Sequence, residues 1–160
     1  MDEKELFLSF WEKEAPATRK VLSRIPQAAS DYKPDPKART AREIAWLLVR
    51  EELFLIDGLE KGAFTWVEHP TPATMNEILG TYDTHHDDVT TRLKAVPAAH
   101  WERRHPFTFE GQEIMNETGI QNGWITLFDM IHHRGQLATY LRPMGSTVPQ
   151  IYGPSADEPM

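Results

Sequence analysis

Apolar side chains recur at alternating steps of three and four residues along three long stretches of the chain, and this spacing is typical of amphipathic helices. The first stretch contains Phe7, Trp11, Glu14, Thr18, Val21 and Ile25. The second contains Ile44, Leu47, Leu48, Glu51, Phe54 and Leu55. The third contains Leu79, Tyr82, His86, Val89, Leu93 and Val96. Helices of this kind bury their apolar stripes against one another, so the spacing predicts a helical bundle.

Start and stop signals divide the chain into four helices. Thr40 with Glu43 and Thr74 with Glu77 form capping-box patterns, and a proline-free apolar stretch from Trp124 onward predicts a last helix. We therefore predict an all-α fold, a left-handed four-helix bundle with one long crossover and little or no sheet. The helices are expected near residues 3–25, 40–60, 74–96 and 119–143.

The segments between the helices carry their own signals. Pro16 interrupts the first helix and predicts a kink or a division into two pieces. Residues 62–71 form the expected crossover, and residues 106–114 alternate around a glycine, which favours a small hairpin or an extended flap. The chain after Gly145 is rich in Pro, Gly and Ser and predicts an irregular arm. The arm should be held by Val148, Ile151 and Tyr152.

Length, charge and cysteine content restrict the possible functions. A chain of 160 residues fits a single domain spanning residues 1–160. Its net charge of -7, without a basic cluster, argues against binding to nucleic acid or to an anionic membrane. The absence of cysteine excludes disulfides, thiolate nucleophiles and cysteine-based zinc sites. Without an apolar targeting or membrane-spanning run, a cytoplasmic location is expected.

Asp129 and His133 are the first candidates for chemistry. Four residues apart on a helix, they share a face and are close enough to bind one metal ion or to share one proton, although the same stripe also fits a solvated helix face. Arg134 falls among leucines and needs a carboxylate partner, for which Glu14 is a candidate. Gly135 in the middle of the helix predicts a close helix contact.

The last helix also carries a family resemblance. His133-Arg134-Gly135-Gln136-Leu137, followed by Tyr140-Leu141-Arg142, resembles the final helix of the DinB-like (DinB/YfiT-type) family of four-helix-bundle metalloenzymes, and residues 148–158 resemble the tail of one of its bacterial branches. The resemblance implies one histidine on the second helix and an H-x-x-x-H pair on the last. His133 matches the second histidine of that pair, Asp129 replaces the first, and Leu47 stands at the second-helix position.

Leu47 cannot bind a metal ion, so a third ligand must come from elsewhere. Glu51 lies one turn beyond Leu47 and is one candidate, but Glu51 and Glu14 are also natural counter-ions for Arg134. His86 lies on the apolar stripe of the third helix, and imidazole is a good ligand for zinc or nickel. We therefore expect a site of His86, Asp129 and His133 that binds one of these ions.

Two functions follow from this expectation. The first is a metal-dependent enzyme acting on a small molecule, which the resemblance places among hydrolases or thiol-dependent transferases and isomerases. The second is a metal-free binding or interaction module, in which Asp129 and His133 form a hydrogen-bonded pair and Gln136 faces the cleft. In both cases we expect a homodimer, because apolar residues spread widely around the last helix.

Overall fold

The structure, a computed structural model, describes residues 1–160 and is mostly helical. Its helices are α1 (Glu3–Ser23), α2 (Ala41–Lys61), α3 (Met75–Ala95), α4 (Ala98–Glu102) and α5 (Gly119–Leu141), with a single 3-10 turn at Gln27–Ala29. Its strands are β1 (Phe64–Thr65), β2 (Arg104–Phe109) and β3 (Gln112–Thr118). None of the helices combines the length and the apolar character needed to cross a bilayer.

Each of the four long helices begins at a capping box, in which two residues satisfy the free backbone N–H groups of the first turn. The pairs are Asp2 with Glu5, Thr40 with Glu43, Thr74 with Glu77, and Thr118 with Gln121. Each helix ends within about two residues of the boundary predicted from the sequence. Pro16 does not divide α1, which runs as one helix through it.

The long helices share one hydrophobic core. Helix α1 packs mainly against α3 and α5, and α2 packs against the same two helices. The buried apolar side chains form a single cluster to which all four helices contribute. This arrangement places α2 beside α5, and it is between these two helices that the polar side chains described below meet.

The chain contains a small three-stranded sheet, which fits the expectation of little sheet but makes the all-α description approximate. Strands β2 and β3 form an antiparallel hairpin, and β1 adds to β2 in parallel through Phe64 opposite Phe107. The hairpin turns at Glu110 and Gly111, whose φ angles of 49° and 79° suit a two-residue turn of the kind that follows strand twist. Of the two alternatives for residues 106–114, the structure contains the hairpin.

Arg134 is buried inside the bundle with its charge neutralised. Its Nη2 forms an ion pair with Glu14 Oε2 at 2.7 Å and donates to the hydroxyl of Tyr152 at 2.6 Å, and that hydroxyl donates to Glu14 Oε2 at 2.8 Å. The tail is thus fastened to α1 and α5 by a hydrogen-bonded triangle. Glu51 takes no part in it, so only Glu14 acts as the expected counter-ion.

Gly135, next to Arg134, is exposed, and no atom lies within 4 Å of the place where a Cβ would stand. The close helix contact predicted at this glycine is wrong. The prediction failed because a glycine in a helix shows only that a side chain is absent. It does not show that another helix occupies the space.

Candidate metal centre

Three potential ligand atoms converge between α2 and α5. His133 Nε2 lies 3.5 Å from Asp129 Oδ2 and 3.8 Å from Glu51 Oε1, and the ligand atoms of the three residues all lie within 4.8 Å of one another. Asp129 and His133 share one face of α5 because they are four residues apart, and Glu51 reaches them from α2. Glu51 and His133 are buried, whereas Asp129 is exposed.

A hydrogen-bond chain on α5 fixes the orientation of the His133 ring. His133 Nδ1 lies 3.0 Å from Gln136 Oε1, and Gln136 Nε2 lies 3.0 Å from His132 Nε2. Since an amide oxygen only accepts, Nδ1 carries the proton and Nε2 presents its lone pair to the two carboxylates. A metal-binding histidine is held in the same way when its other nitrogen donates to an acceptor.

The position of Glu51 is unfavourable for a carboxylate without a cation. Burial, followed by the neighbouring carboxylate of Asp129, raises the pKa of Glu51 well above its ordinary value, although the charge of Arg39 acts in the opposite direction. Glu51 Oε2 is buried and has no hydrogen-bond partner. A divalent ion between the carboxylates would relieve both penalties.

The spacing of the group fits such an ion. Ligand atoms about 2.1 Å from a tetrahedral zinc ion lie about 3.4 Å apart, close to the separations of His133 Nε2 from Asp129 and Glu51. One imidazole and two carboxylates suit zinc or nickel. The residues present therefore fit a divalent metal ion, with room left for water or substrate.

The group lies at the wall of a cavity of about 530 Å³, a volume typical of small-molecule sites. Helix α2 contributes most of one side, including Trp46, Leu47, Arg50 and Phe54. The hairpin covers another side with Phe107, Phe109 and Met115. Residues 66–71, which follow β1, and α5 complete the lining. The hairpin thus covers the cavity rather than extending into solvent.

The structure does not bring His86 to Asp129 and His133, and the expected ligand set is corrected accordingly. His86 Nδ1 contacts Glu52 at 2.8 Å, and its ring stacks between Trp11 and Tyr82. Burial lowers the pKa of His86, but the hydrogen bond and the charge of Glu52 outweigh burial and raise it. His86 is therefore committed to an ion pair with Glu52, and Glu51 takes the third place.

The remaining predicted site residues do not all line the cavity. Leu47 lines the cavity, Gln136 contacts His133 rather than the open cleft, and Arg134 is buried in the triangle with Glu14 and Tyr152. Sequence reasoning missed Arg50 and the aromatic cavity lining. The alternation of residues 106–114 was the available signal, because a hairpin over a bundle end brings every second side chain to one face.

Comparison with known proteins decides the family of this fold and site. The DinB family matches residues 1–160. The chain belongs to the DinB family.

Relatives of this DinB-family chain extend the match in sequence and in structure. The uncharacterized protein YrdA of Bacillus subtilis (strain 168) is 28% identical over 156 residues, which cover 95% of this chain and 89% of that protein. A DinB-like protein from Bacillus cereus ATCC 10987 has the same fold, with a TM-score of 0.75, 20% identity and coverage of 92% of this chain and 97% of that one.

The fold also resembles that of an enzyme whose reaction is stated in its name. The mycothiol-dependent maleylpyruvate isomerase matches with a TM-score of 0.52 and 11% identity, over 92% of this chain and 65% of that one. At this identity the likeness concerns the fold alone.

Proposed function

We propose that this DinB-family protein is a metal-dependent enzyme that acts on a small molecule in the cavity between α2 and α5. The observation that carries the proposal is the convergence of Glu51, Asp129 and His133 at the cavity wall, with Nε2 of His133 turned toward both carboxylates. In this proposal the three residues hold one zinc or nickel ion.

A bound divalent ion supplies Lewis acidity and lowers the pKa of a coordinated water or thiol. Around it, Gln136 keeps the proton of His133 on Nδ1, so that Nε2 stays available as a ligand. Phe107 and Phe109 of the hairpin limit the access of water from one side. Thr126, also in the lining, provides a neutral hydroxyl group for a substrate.

The reaction class that we propose is hydrolysis or thiol-dependent transfer or isomerisation. The likeness of the fold to a mycothiol-dependent isomerase supports the thiol-dependent alternative. Because the chain contains no cysteine, the thiol would be a cosubstrate that enters the cavity. We further propose that the protein works in the cytoplasm and that its long helices form a left-handed four-helix bundle with one long crossover.

The metal content of tag-free protein, measured by mass spectrometry after incubation with zinc or nickel and gel filtration, tests the proposal. We expect close to one ion per chain, lost in His133→Ala. The matched control is His85→Ala, which removes a histidine of α3 that lies outside the cavity lining and should retain the ion. Metal-free wild-type protein, or equal metal content in both variants, would overturn the proposal.

A metal-free binding module is the second candidate, and Leu47 favours it. Leu47 stands at the position of the second-helix histidine implied by the family resemblance, and its side chain lines the cavity as an apolar surface. In this case Glu51, Asp129 and His133 share protons among themselves. Leu47→His distinguishes the candidates, because it should create a metal site in a module that has none and only strengthen a site that already exists.

A further inference from the structure

The cavity contains an arginine that no carboxylate of the protein neutralises. Arg50, on α2, is half-buried and has no carboxylate oxygen within 4.0 Å. Its only hydrogen-bond acceptor is the backbone oxygen of Val67 at 3.4 Å, and its Nε is buried without a partner. The guanidinium is therefore partly withdrawn from water without a carboxylate in direct contact.

The acidic residue Glu68 of the lining does not fill this role. Glu68 accepts a hydrogen bond from Trp66 Nε1 at 3.0 Å and remains beyond ion-pair distance of Arg50. Elsewhere in the protein, Arg92 and Arg134 pair directly with glutamates. Arg50 is therefore an exception among the partly or fully buried arginines, and it faces the cavity.

Aromatic side chains line the same cavity as Arg50. Trp46 lies one turn before Arg50 on α2 and Phe54 lies one turn after it, so all three line the same cavity wall. The ring of Phe54 lies 5.5 Å from that of Trp66 and 5.1 Å from that of Phe107. A flat apolar group would be enclosed on several sides at this place.

We propose that the substrate is a small organic acid whose carboxylate binds Arg50 and whose apolar body lies against Trp46, Phe54 and Trp66. This inference rests on the proposed function, since the reacting group of the same molecule would lie at Glu51, Asp129 and His133. The guanidinium fork matches a carboxylate through two parallel hydrogen bonds.

A singly charged acid fits the cavity better than a phosphate. The lining also contains four acidic residues, Glu43, Glu51, Glu68 and Asp129, against the two cations Arg39 and Arg50. A dianionic phosphate would meet more repulsion from these carboxylates than a monoanionic carboxylate would.

Isothermal titration calorimetry with 3-phenylpropanoate and its neutral amide, 3-phenylpropanamide, tests the proposal on the zinc-loaded protein. We expect the acid to bind at least about tenfold more tightly than the amide. Arg50→Gln should abolish this preference, and Arg50→Lys should retain part of it. The matched control is Arg103→Gln, which removes an exposed arginine outside the cavity and should leave the preference unchanged.

Equal binding of acid and amide, or an unchanged preference in Arg50→Gln, would overturn the inference. Tighter binding of phenylphosphonate than of 3-phenylpropanoate at pH 8 would also overturn it, in favour of a dianionic substrate. The metal content of the same samples separates the two proposals. Loss of the acid preference with zinc retained contradicts only the carboxylate site, whereas an acid preference without zinc contradicts only the metal-dependent function.

Discussion

Glu51 couples the stability of the protein to pH and to metal. Its pKa is raised by burial and then by Asp129, so the folded protein binds this proton more tightly than the unfolded chain does. The contribution of Glu51 to the stability of the folded protein should therefore be fully present below the ordinary carboxyl pKa. It should be lost as pH rises through the raised pKa of the folded state. We predict that Glu51→Gln raises the Tm of the metal-free protein at pH 8 by a few degrees, since about 1 kcal/mol moves Tm by about 2–4 °C at this size.

Thermal unfolding between pH 5 and pH 8, with and without zinc, measures this effect. Glu51→Gln should also lose the rise in Tm that zinc gives to the wild-type protein. The control is Glu68→Gln, an exposed glutamate of the same cavity, which should behave like the wild type. A lower Tm for metal-free Glu51→Gln at pH 8 would contradict the inference that the charged form of Glu51 destabilises the metal-free protein.

His86 serves stability rather than metal binding. Replacing it with alanine leaves Glu52 buried with no partner for either oxygen, because Glu52 Oε2 already has none. We predict that His86→Ala lowers the free energy of unfolding by about 2–3 kcal/mol and leaves the metal content unchanged. Urea unfolding together with metal analysis checks both parts, and loss of the metal in a folded His86→Ala protein would restore His86 as a ligand.

For single residues, the sequence predicted which side chains lie together on one helix, but not which side chains of the other helices contact them. Asp129 and His133 were found because helical spacing fixes their distance. The sequence pattern could not decide whether Glu51 or His86 is the third ligand. Neighbouring residues on α2 point about 100° apart and therefore contact different helices. Glu51 reaches α5 while Glu52, the next residue, reaches His86 on α3.

Glycines within the helices divide into tightly packed and free positions. A Cβ added at Gly58 on α2 would lie 2.1 Å from the ring of Phe64 on β1, whereas one added at Gly135 on α5 meets nothing within 4 Å. We predict that Gly58→Ala destabilises the protein by at least about 2 kcal/mol, since the Phe64 ring must move. Gly135→Ala should instead stabilise it by about 0.5–1 kcal/mol through helix propensity.

The two alanine variants control for each other in urea unfolding, since both change a helical glycine in the same way. Equal effects of the two substitutions on stability would show that Phe64 of β1 does not pack tightly against Gly58 of α2.

The sequence predicted the helices closely because caps and apolar spacing are local signals. It did not predict β1, because a two-residue strand is defined only by its pairing with β2, which lies far along the chain.

On the surface of the whole molecule, aromatic side chains of α1 and α5 remain partly uncovered. The ring of Trp124 lies 5.9 Å from that of Phe10 and 5.8 Å from that of Phe128, which is 61% exposed. We propose that a second copy of the chain covers this patch in a homodimer, since a single apolar patch can pair with itself across a twofold axis.

We predict that Phe128→Asp converts a dimer into a folded monomer, as measured by light scattering at micromolar concentration. A charge at the centre of an apolar interface loses its water without gaining a partner. Ile114→Asp is the control, because Ile114 is similarly exposed on β3 outside the patch and should leave the mass unchanged. A monomeric wild-type protein would contradict the proposal.

The ligand group takes Glu51 from the second helix and Asp129 with His133 from the last, and this division affects the order of folding events. The unfolded chain offers only the local pair of α5, so it holds an ion weakly. The complete group exists only after a large loop has closed and α5 has docked on α2. If docking follows the rate-limiting step, zinc should slow unfolding while leaving the refolding rate almost unchanged. A bound ion would then stabilise the folded state against unfolding, and the protein would reach that state without the ion.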